Sequence, residues 1–307
     1  MKNALLYLFT VLIWGSTWLA IEFQLGAVAV EVSLFLRFAI AALLMWAFVL
    51  IKKLPMRFCA LDHIFFMLLA LCNFGANYLI LYWAQNYLSS AMSSIAFSTL
   101  LLMNIVNTRL FFNKPIAKRI YFGALLGIVG IVILFWPAIA TLDLSNNLLF
   151  GLLLCLAGTL VASIGNMVSV RNSRAQVGVL QGNAWGMMYS AAGLAIAVLL
   201  SGASFDFSTT TASYWVSLLY LSTFGTVIAF ACYFVLLRNI GPEKASYVIV
   251  LFPLVAVVLS TLFEGFQWQL NTVYGFLFVL LGNAIVLTPF DKIARMLKLR
   301  HPEKTLA

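Results

Sequence analysis

Ten stretches of about twenty mostly apolar residues follow one another along the chain, and they limit the possible fold more than any other feature. A helix that crosses the hydrocarbon core of a bilayer needs about 20 such residues. The connections between the stretches contain turn residues or charges, and none is long enough for a soluble domain. The sequence therefore predicts an all-α integral membrane protein. The ten predicted spans cover residues 4–22, 32–51, 63–86, 90–111, 118–137, 149–170, 178–200, 214–237, 245–263 and 271–290.

Composition excludes the other broad classes of protein. Apolar and aromatic residues make up 64% of the 307 residues, and only 9% are charged, whereas soluble proteins have about 25% charged residues. A soluble fold with so little charge could not cover its own surface, and disordered chains are rich in charge and poor in aromatics. The net charge of +9 comes from basic residues that form no nucleic-acid-binding motif or stripe. We therefore expect the lipid bilayer as a partner and no nucleic acid.

The basic residues predict the orientation of the chain. Seventeen of the eighteen Lys and Arg residues fall on one side of a ten-span path, and no connection on the other side contains one. Because basic residues are enriched in cytoplasmic loops, both termini are predicted to be cytoplasmic. The expected location is the cell inner (plasma) membrane, with residues 291–307 as a basic cytoplasmic tail.

Internal similarity indicates two halves. Short features recur in the same order, at nearly constant shifts of 150 to 154 residues. They are Phe74-Gly75 with Phe224-Gly225, Gly123 and Gly130 with Gly275 and Gly282, and Ser89-Ser90-Ala91 with Glu243-Lys244-Ala245. We expect repeats at residues 1–140 (helices 1–5) and 148–290 (helices 6–10). An odd number of helices in each repeat turns the second half upside down, so the fold is predicted to be two inverted five-helix repeats with a site near the midplane.

Several local motifs resemble a known family. They are Trp14-Gly15-Ser16, Arg37-Phe38 in span 2, the run from Ala245 to Pro253, Glu264 after that run, and the glycine-spaced helices that begin at Gly123 and Gly275. Over nearly its whole length the chain resembles the drug/metabolite transporter superfamily, in its ten-helix branch with two EamA-type repeats. It departs from strict repetition where Thr99 stands opposite Pro253 and Asn113 opposite Glu264. The resemblance implies a carrier of small organic metabolites, with helices 1, 3, 4, 6, 8 and 9 lining the path.

Polar and aromatic residues near the middle of the spans are candidates for substrate binding. Polar groups at this depth must face protein or a wet cavity. Either they line a central cavity, or they only form hydrogen bonds between helices. For Ser and Thr we favour the second interpretation, because a hydroxyl can bond to its own helix. The candidate substrate-binding residues are Trp14, Thr17, Asn73, Asn77, Tyr78, Tyr82, Ser98 and Tyr189.

Four residues are expected to have structural roles. Arg37 is the one charge inside a span, and it either contacts an anionic substrate group or reaches outward to Glu31 or Glu22. We favour the structural interpretation, because Arg37 is close to the outer end of span 2 and long cationic side chains extend toward the interface. Gly123 and Gly127 allow close helix packing. Pro253 interrupts the hydrogen bonding of span 9.

No enzymatic motif accompanies these features. The sequence contains neither G-x-x-x-x-G-K nor H-E-x-x-H, and it has no His, Asp or Glu at mid-span depth to relay protons. We therefore expect no enzyme activity, no cofactor and no metal site. The predicted function is secondary transport of a small organic metabolite (an amino acid, nucleobase or drug-like compound) by alternating access, with export as the favoured direction. The alternatives are an uptake carrier or exchanger, or a sensor that does not transport; the chain is expected to be a monomer or homodimer.

Overall fold

The computed structural model describes residues 2–140, 147–240 and 247–288, and within these ranges every regular element is a helix. This confirms the predicted all-α class. The expected tail at 291–307 and the connection around residue 143 lie outside the described residues. The helices of the described ranges are labelled in chain order. They are α1 (Lys2–Glu22), α2 (Val30–Ile51), α3 (Ala60–Gln85), α4 (Ser90–Phe112), α5 (Lys118–Leu134), α6 (Asn147–Arg174), α7 (Val179–Ser201), α8 (Ala212–Tyr220, Leu221–Ile228 and Ala229–Ile240), α9 (Tyr247–Phe263) and α10 (Leu270–Leu287).

Eight helices in the described residues are long and apolar enough to cross a membrane, which makes the chain a multi-pass membrane protein. Helices α5 and α9 are shorter, with 17 residues each. A short helical turn, Trp136–Ile139, follows α5 after Phe135. Large apolar side chains point away from the bundle, including Leu199 and Leu200, which are 79% and 84% exposed. Such a surface suits lipid rather than water.

Hydrogen bonds between helix termini show which helix ends lie together. Arg171 at the end of α6 forms a 2.9 Å ion pair with Asp62 at the start of α3. Asn239 at the end of α8 donates a 2.9 Å hydrogen bond to Asn3 at the start of α1. We call this end of the bundle the basic end. Because α1 and α3 begin where α6 and α8 finish, these two pairs of helices run in opposite directions.

At the opposite end, called the acidic end, α9 meets the start of α4. Ser90 Oγ donates a 2.7 Å hydrogen bond to Glu264 Oε1, just after α9. Thr209, in the connection between α7 and α8, donates to the carbonyl of Ala27, between α1 and α2. All four residues therefore lie at the same end of the bundle.

Two helices contain a wide π-helical segment, in which each N–H bonds to the carbonyl five residues earlier. In α3 the segment is Ala70–Gly75, and in α8 it is Leu221–Ile228. The repeated Phe-Gly pairs found in the sequence lie within these two segments. Segments of this kind are rare in proteins overall, but those that occur often lie at functional sites.

Close packing of α5 against α10 depends on glycine. A Cβ atom on Gly123 would lie 2.6 Å from the Gly282 carbonyl oxygen, and one on Gly130 would lie 2.7 Å from the Gly275 carbonyl oxygen. A Cβ on Gly282 would lie 2.7 Å from the Gly127 nitrogen. The two backbones therefore touch, and the helices are antiparallel because the earlier glycine of α5 meets the later glycine of α10. Small residues permit this approach in membrane helices.

Candidate functional site

Arg37 is the centre of a buried polar group near the acidic end. It is 1% exposed, and its two terminal nitrogens donate to Tyr82 Oη at 3.1 Å and to Thr226 Oγ1 at 3.4 Å. The guanidinium carbon lies 4.6 Å from the centre of the Tyr78 ring. Tyr82 in turn donates to Gln24 Oε1 at 2.8 Å. The group connects α2, α3 and α8 with the connection after α1.

The expected contact of Arg37 with Glu31 or Glu22 was wrong. Among the described residues Arg37 forms no ion pair, and its Nε has no hydrogen-bond partner. The side chain turns inward between the helices, where a phenol and a hydroxyl replace the expected carboxylate. Removing a charge from water without an opposite charge is costly, although the aromatic ring faces recover part of that cost.

Of the two predicted asparagines of α3, Asn73 contacts α6 through its side chain and Asn77 through its backbone. Asn73 donates to Asn166 Oδ1 at 3.3 Å, and Asn166 donates to Asn104 Oδ1 at 3.2 Å. Asn77 is 4% exposed, and its Oδ1 has no hydrogen-bond partner. The backbone carbonyl of Asn77 lies close to Gly158, where the glycine gives room for the contact. The interior between α3, α4 and α6 therefore contains a row of amides with one unused acceptor.

Three other candidates make local contacts with their own helix or with a neighbouring ring. Ser98 donates to the Ile95 carbonyl at 2.6 Å, and Thr17 donates to the Trp14 carbonyl at 2.7 Å, each within its own helix. The Trp14 ring packs against Phe230 of α8, with ring centres 5.5 Å apart. These three side chains contribute to helix packing in this conformation.

Tyr189 lies apart from the other aromatic candidates. Its hydroxyl is 2.9 Å from Nδ1 of His63, at the start of α3, and its ring stacks on Trp185. His63 and Tyr82 are separated by roughly 28 Å along α3 at 1.5 Å per residue. The structure therefore does not bring Tyr189 and Tyr82 into one site.

A cleft of about 480 Å³ opens at the acidic end. None of the eight predicted substrate-binding residues lines it. From the sequence, Glu22 was expected only as a possible partner for Arg37 and Glu264 only as part of a family pattern, and no signal connected the two. The lining residues are Glu22, Gln85, Asn86, Tyr87, Leu88, Ser89, Phe263 and Glu264.

Comparison with known protein families identifies one that matches most of the chain. The family model for EamA-like transporters matches residues 1–136 and 149–288. The chain belongs to the EamA-like transporter family. The two matched ranges cover most of the chain and lie on either side of the connection around residue 143, where the sequence predicted the boundary between repeats.

Individual EamA relatives are also named as transporters. The chain is similar to "Uncharacterized transporter YoaV" of Bacillus subtilis, with 25% identity over 88% of this chain and 91% of the relative. It is also similar to "Uncharacterized inner membrane transporter YedA" of Escherichia coli K12, with 28% identity over 81% of this chain and 79% of the relative. A solved crystal structure matches with a TM-score of 0.67 and 18% identity, over 92% of this chain and 96% of that chain. At that identity the match supports the fold alone.

Proposed function

We propose that this EamA-family protein is a secondary transporter that moves a small organic metabolite across the inner membrane by alternating access. The cargo classes are an amino acid, a nucleobase or a drug-like compound, and the proposed net direction is export. Ten spans in two inverted repeats, residues 1–140 and 148–290, form the transport unit. Both termini face the cytoplasm in this proposal.

The opposed directions of the two π-containing helices carry the proposal. The segment in α3 and the segment in α8 include Phe-Gly pairs 150 residues apart, and α3 begins at the end of the bundle where α8 finishes. The same relation holds for α1 and α6. Matched elements that run in opposite directions support an inverted repeat, and inverted repeats are typical of carriers in which one half rocks against the other.

The polar interior supports a transport path near the repeat boundary. Asn77 on α3 has an unused acceptor, and Arg37 on α2 forms no ion pair among the described residues; Tyr78 and Tyr82 of α3 both contact Arg37. Ionisable residues inside a membrane bundle are costly and commonly mark substrate pathways. In this proposal Asn73, one turn from Asn77, extends the polar interior toward the basic end, and Trp14 and Tyr189 contact the substrate at separate points of the path.

Counterflow in proteoliposomes tests the proposal. Purified protein is reconstituted with a metabolite extract inside the vesicles, and uptake of labelled amino acids or nucleobases is measured with and without the same compound inside. A carrier gives saturable uptake that internal substrate accelerates. Non-saturable flux would indicate a channel, and an absence of flux for every compound would support a sensor.

Direction is tested in cells. Metabolites in the medium and in the cells are compared between a deletion strain and an overproducing strain. Export predicts that the cargo accumulates in the medium of the overproducer and inside the cells of the deletion strain. The reverse distribution would identify an uptake carrier.

A further inference from the structure

The cleft at the acidic end contains two carboxyl groups that no cation among the described residues neutralises. Glu22 ends α1, Glu264 follows α9, and both line the cleft. Among the described residues neither forms an ion pair. The sequence places its basic residues, apart from Arg37, toward the other side of the membrane. The cleft therefore presents two carboxyl groups without a cationic partner among the described residues.

Glu264 uses one of its carboxylate oxygens to hold α4 and leaves the other free. Oε1 accepts hydrogen bonds from the backbone nitrogen of Ser90 at 3.3 Å and from its hydroxyl at 2.7 Å. Ser90 is the first residue of α4, and a helix N-terminus favours an adjacent negative charge. These contacts explain the structural role of Glu264 at the start of α4. Oε2 is buried and has no hydrogen-bond partner, so the structural role does not account for it.

Gln85 adds a second unused acceptor that is independent of the carboxylates. The side chain is 3% exposed, and Nε2 donates to the Trp18 carbonyl at 2.8 Å, to Ser90 Oγ at 3.3 Å and to Glu22 Oε2 at 3.5 Å. Because all three neighbours accept, the amide must present its nitrogen to them. Its Oε1 is then left buried with no partner in the cleft lining. A buried acceptor without a donor costs about 1–3 kcal/mol.

We propose that this cleft binds the ammonium group of the transported cargo. An ammonium group has three N–H donors and no acceptor, which matches the carboxylate of Glu22, Oε2 of Glu264 and Oε1 of Gln85. The exposed rings of Tyr87 and Phe263 line the same cleft and attract cations through their faces. The inference rests on the proposed function, and within it selects amines and amino acids over neutral nucleobases.

The size and composition of the cleft favour an organic ammonium over a metal ion. The volume of about 480 Å³ is far larger than a single ion needs. The described residues contain no group of three or more His, Cys, Asp or Glu side chains that could hold a metal. Leu88 and the two rings provide apolar wall for the body of a cargo molecule.

Direct binding to the purified full chain tests the inference without transport. The probes are radiolabelled benzylamine, which is a cation at pH 7, and the similarly sized benzyl alcohol and benzoate as competitors. The variants are Glu22→Gln and Glu264→Gln, with Glu31→Gln as the matched control, since Glu31 does not line the cleft. We expect saturable binding of benzylamine that each cleft variant weakens at least fivefold and the control leaves unchanged. Neither competitor should displace the probe.

Three outcomes would overturn the inference. They are equal competition by benzyl alcohol, unchanged binding in both folded cleft variants, and displacement of the probe by millimolar Ca²⁺ with Ca²⁺ itself raising the unfolding temperature. Glu22→Gln keeps the test decisive if Glu264→Gln fails to fold, because Glu22 does not hold the start of α4. Counterflow of a metabolite without benzylamine binding would reject the ammonium site alone. Benzylamine binding without counterflow of any compound would reject the transport proposal.

Discussion

Arg37 Nη1 donates a 3.1 Å hydrogen bond to Tyr82 Oη, and this contact joins α2 to α3 in the absence of any carboxylate partner for the guanidinium among the described residues. Tyr82 is fully buried, and its hydroxyl donates a hydrogen bond to Gln24 Oε1. The Tyr82 hydroxyl thus links the buried charge of Arg37 to the segment between α1 and α2.

Tyr82→Phe should lower the stability of the folded protein by about 1–3 kcal/mol, because the substitution leaves one Arg37 nitrogen and Gln24 Oε1 without partners. Thermal unfolding in detergent, followed by intrinsic fluorescence, measures the change. Tyr87→Phe is the control, since the Tyr87 side chain is 39% exposed. An unchanged unfolding temperature for Tyr82→Phe would show that water satisfies these groups.

Arg37→Ala should reduce the amount of folded protein in the membrane more than it changes substrate preference. The substitution removes the donor to Tyr82 and Thr226 and the cation beside the Tyr78 ring. Fluorescence size-exclusion chromatography measures abundance, and counterflow with competing substrates measures preference. Normal abundance together with altered preference would assign Arg37 to substrate recognition.

Gly130→Val should destabilise the contact between α5 and α10 by about 1–3 kcal/mol or more, since a Cβ there meets backbone rather than a movable side chain. Gly193→Val in α7 is the matched control, because a Cβ at Gly193 has no neighbour within 4 Å. Both variants are compared by yield and by unfolding temperature. Equal stability of the two would mean that α5 and α10 are not in close contact in the membrane.

Asn77→Ala should lower the rate of counterflow while leaving the abundance of the protein in the membrane unchanged. Its Oδ1 has no partner in the folded chain, so truncation removes an acceptor that the protein itself does not use. The control is Thr223→Ala, whose hydroxyl is exposed and bonds to its own helix. A variant that transports normally would remove Asn77 from the site.

Accessibility to a membrane-impermeant maleimide tests the predicted orientation. In a variant that keeps only Cys59, which is exposed near the start of α3, labelling should require lysis of the cells. In a cysteine-free variant with Asp206→Cys, labelling should occur in intact cells whose outer layer has been permeabilised, without lysis. The reverse pattern would place the basic end outside.

Much of the helical framework is predictable from sequence, because length and apolar character decide which segments enter a bilayer. The pair Gly123 and Gly127 also predicted a close approach of helices, and the contacts of both with Gly282 are a local consequence of having no side chain. The π-helical segments were not predictable in the same way. A Phe-Gly pair marks a position, but the extra residue in a turn depends on the packing of neighbouring helices.

The contacts of Arg37 and the acidic cleft were not predictable from the sequence for a geometrical reason. The expected partners of Arg37 were chosen by distance along the helix axis, whereas the rotation of α2 turns its side chain toward Tyr82. The cleft combines Glu22, Gln85 and Glu264 from three distant parts of the chain. Each lies at the end of a predicted span, so none had the mid-membrane depth used to select candidates.

The direct backbone contact between α5 and α10 also limits how the molecule can move. Two helices that meet at glycines have no intervening side chains whose rotamers could adjust to sliding, and closely packed surfaces resist gradual deformation. We therefore expect α5 and α10 to keep the same relative position throughout the transport cycle. The remaining helices would then make the opening and closing movements. A rigid label on α5 or α10 would serve as the reference point from which those movements are measured.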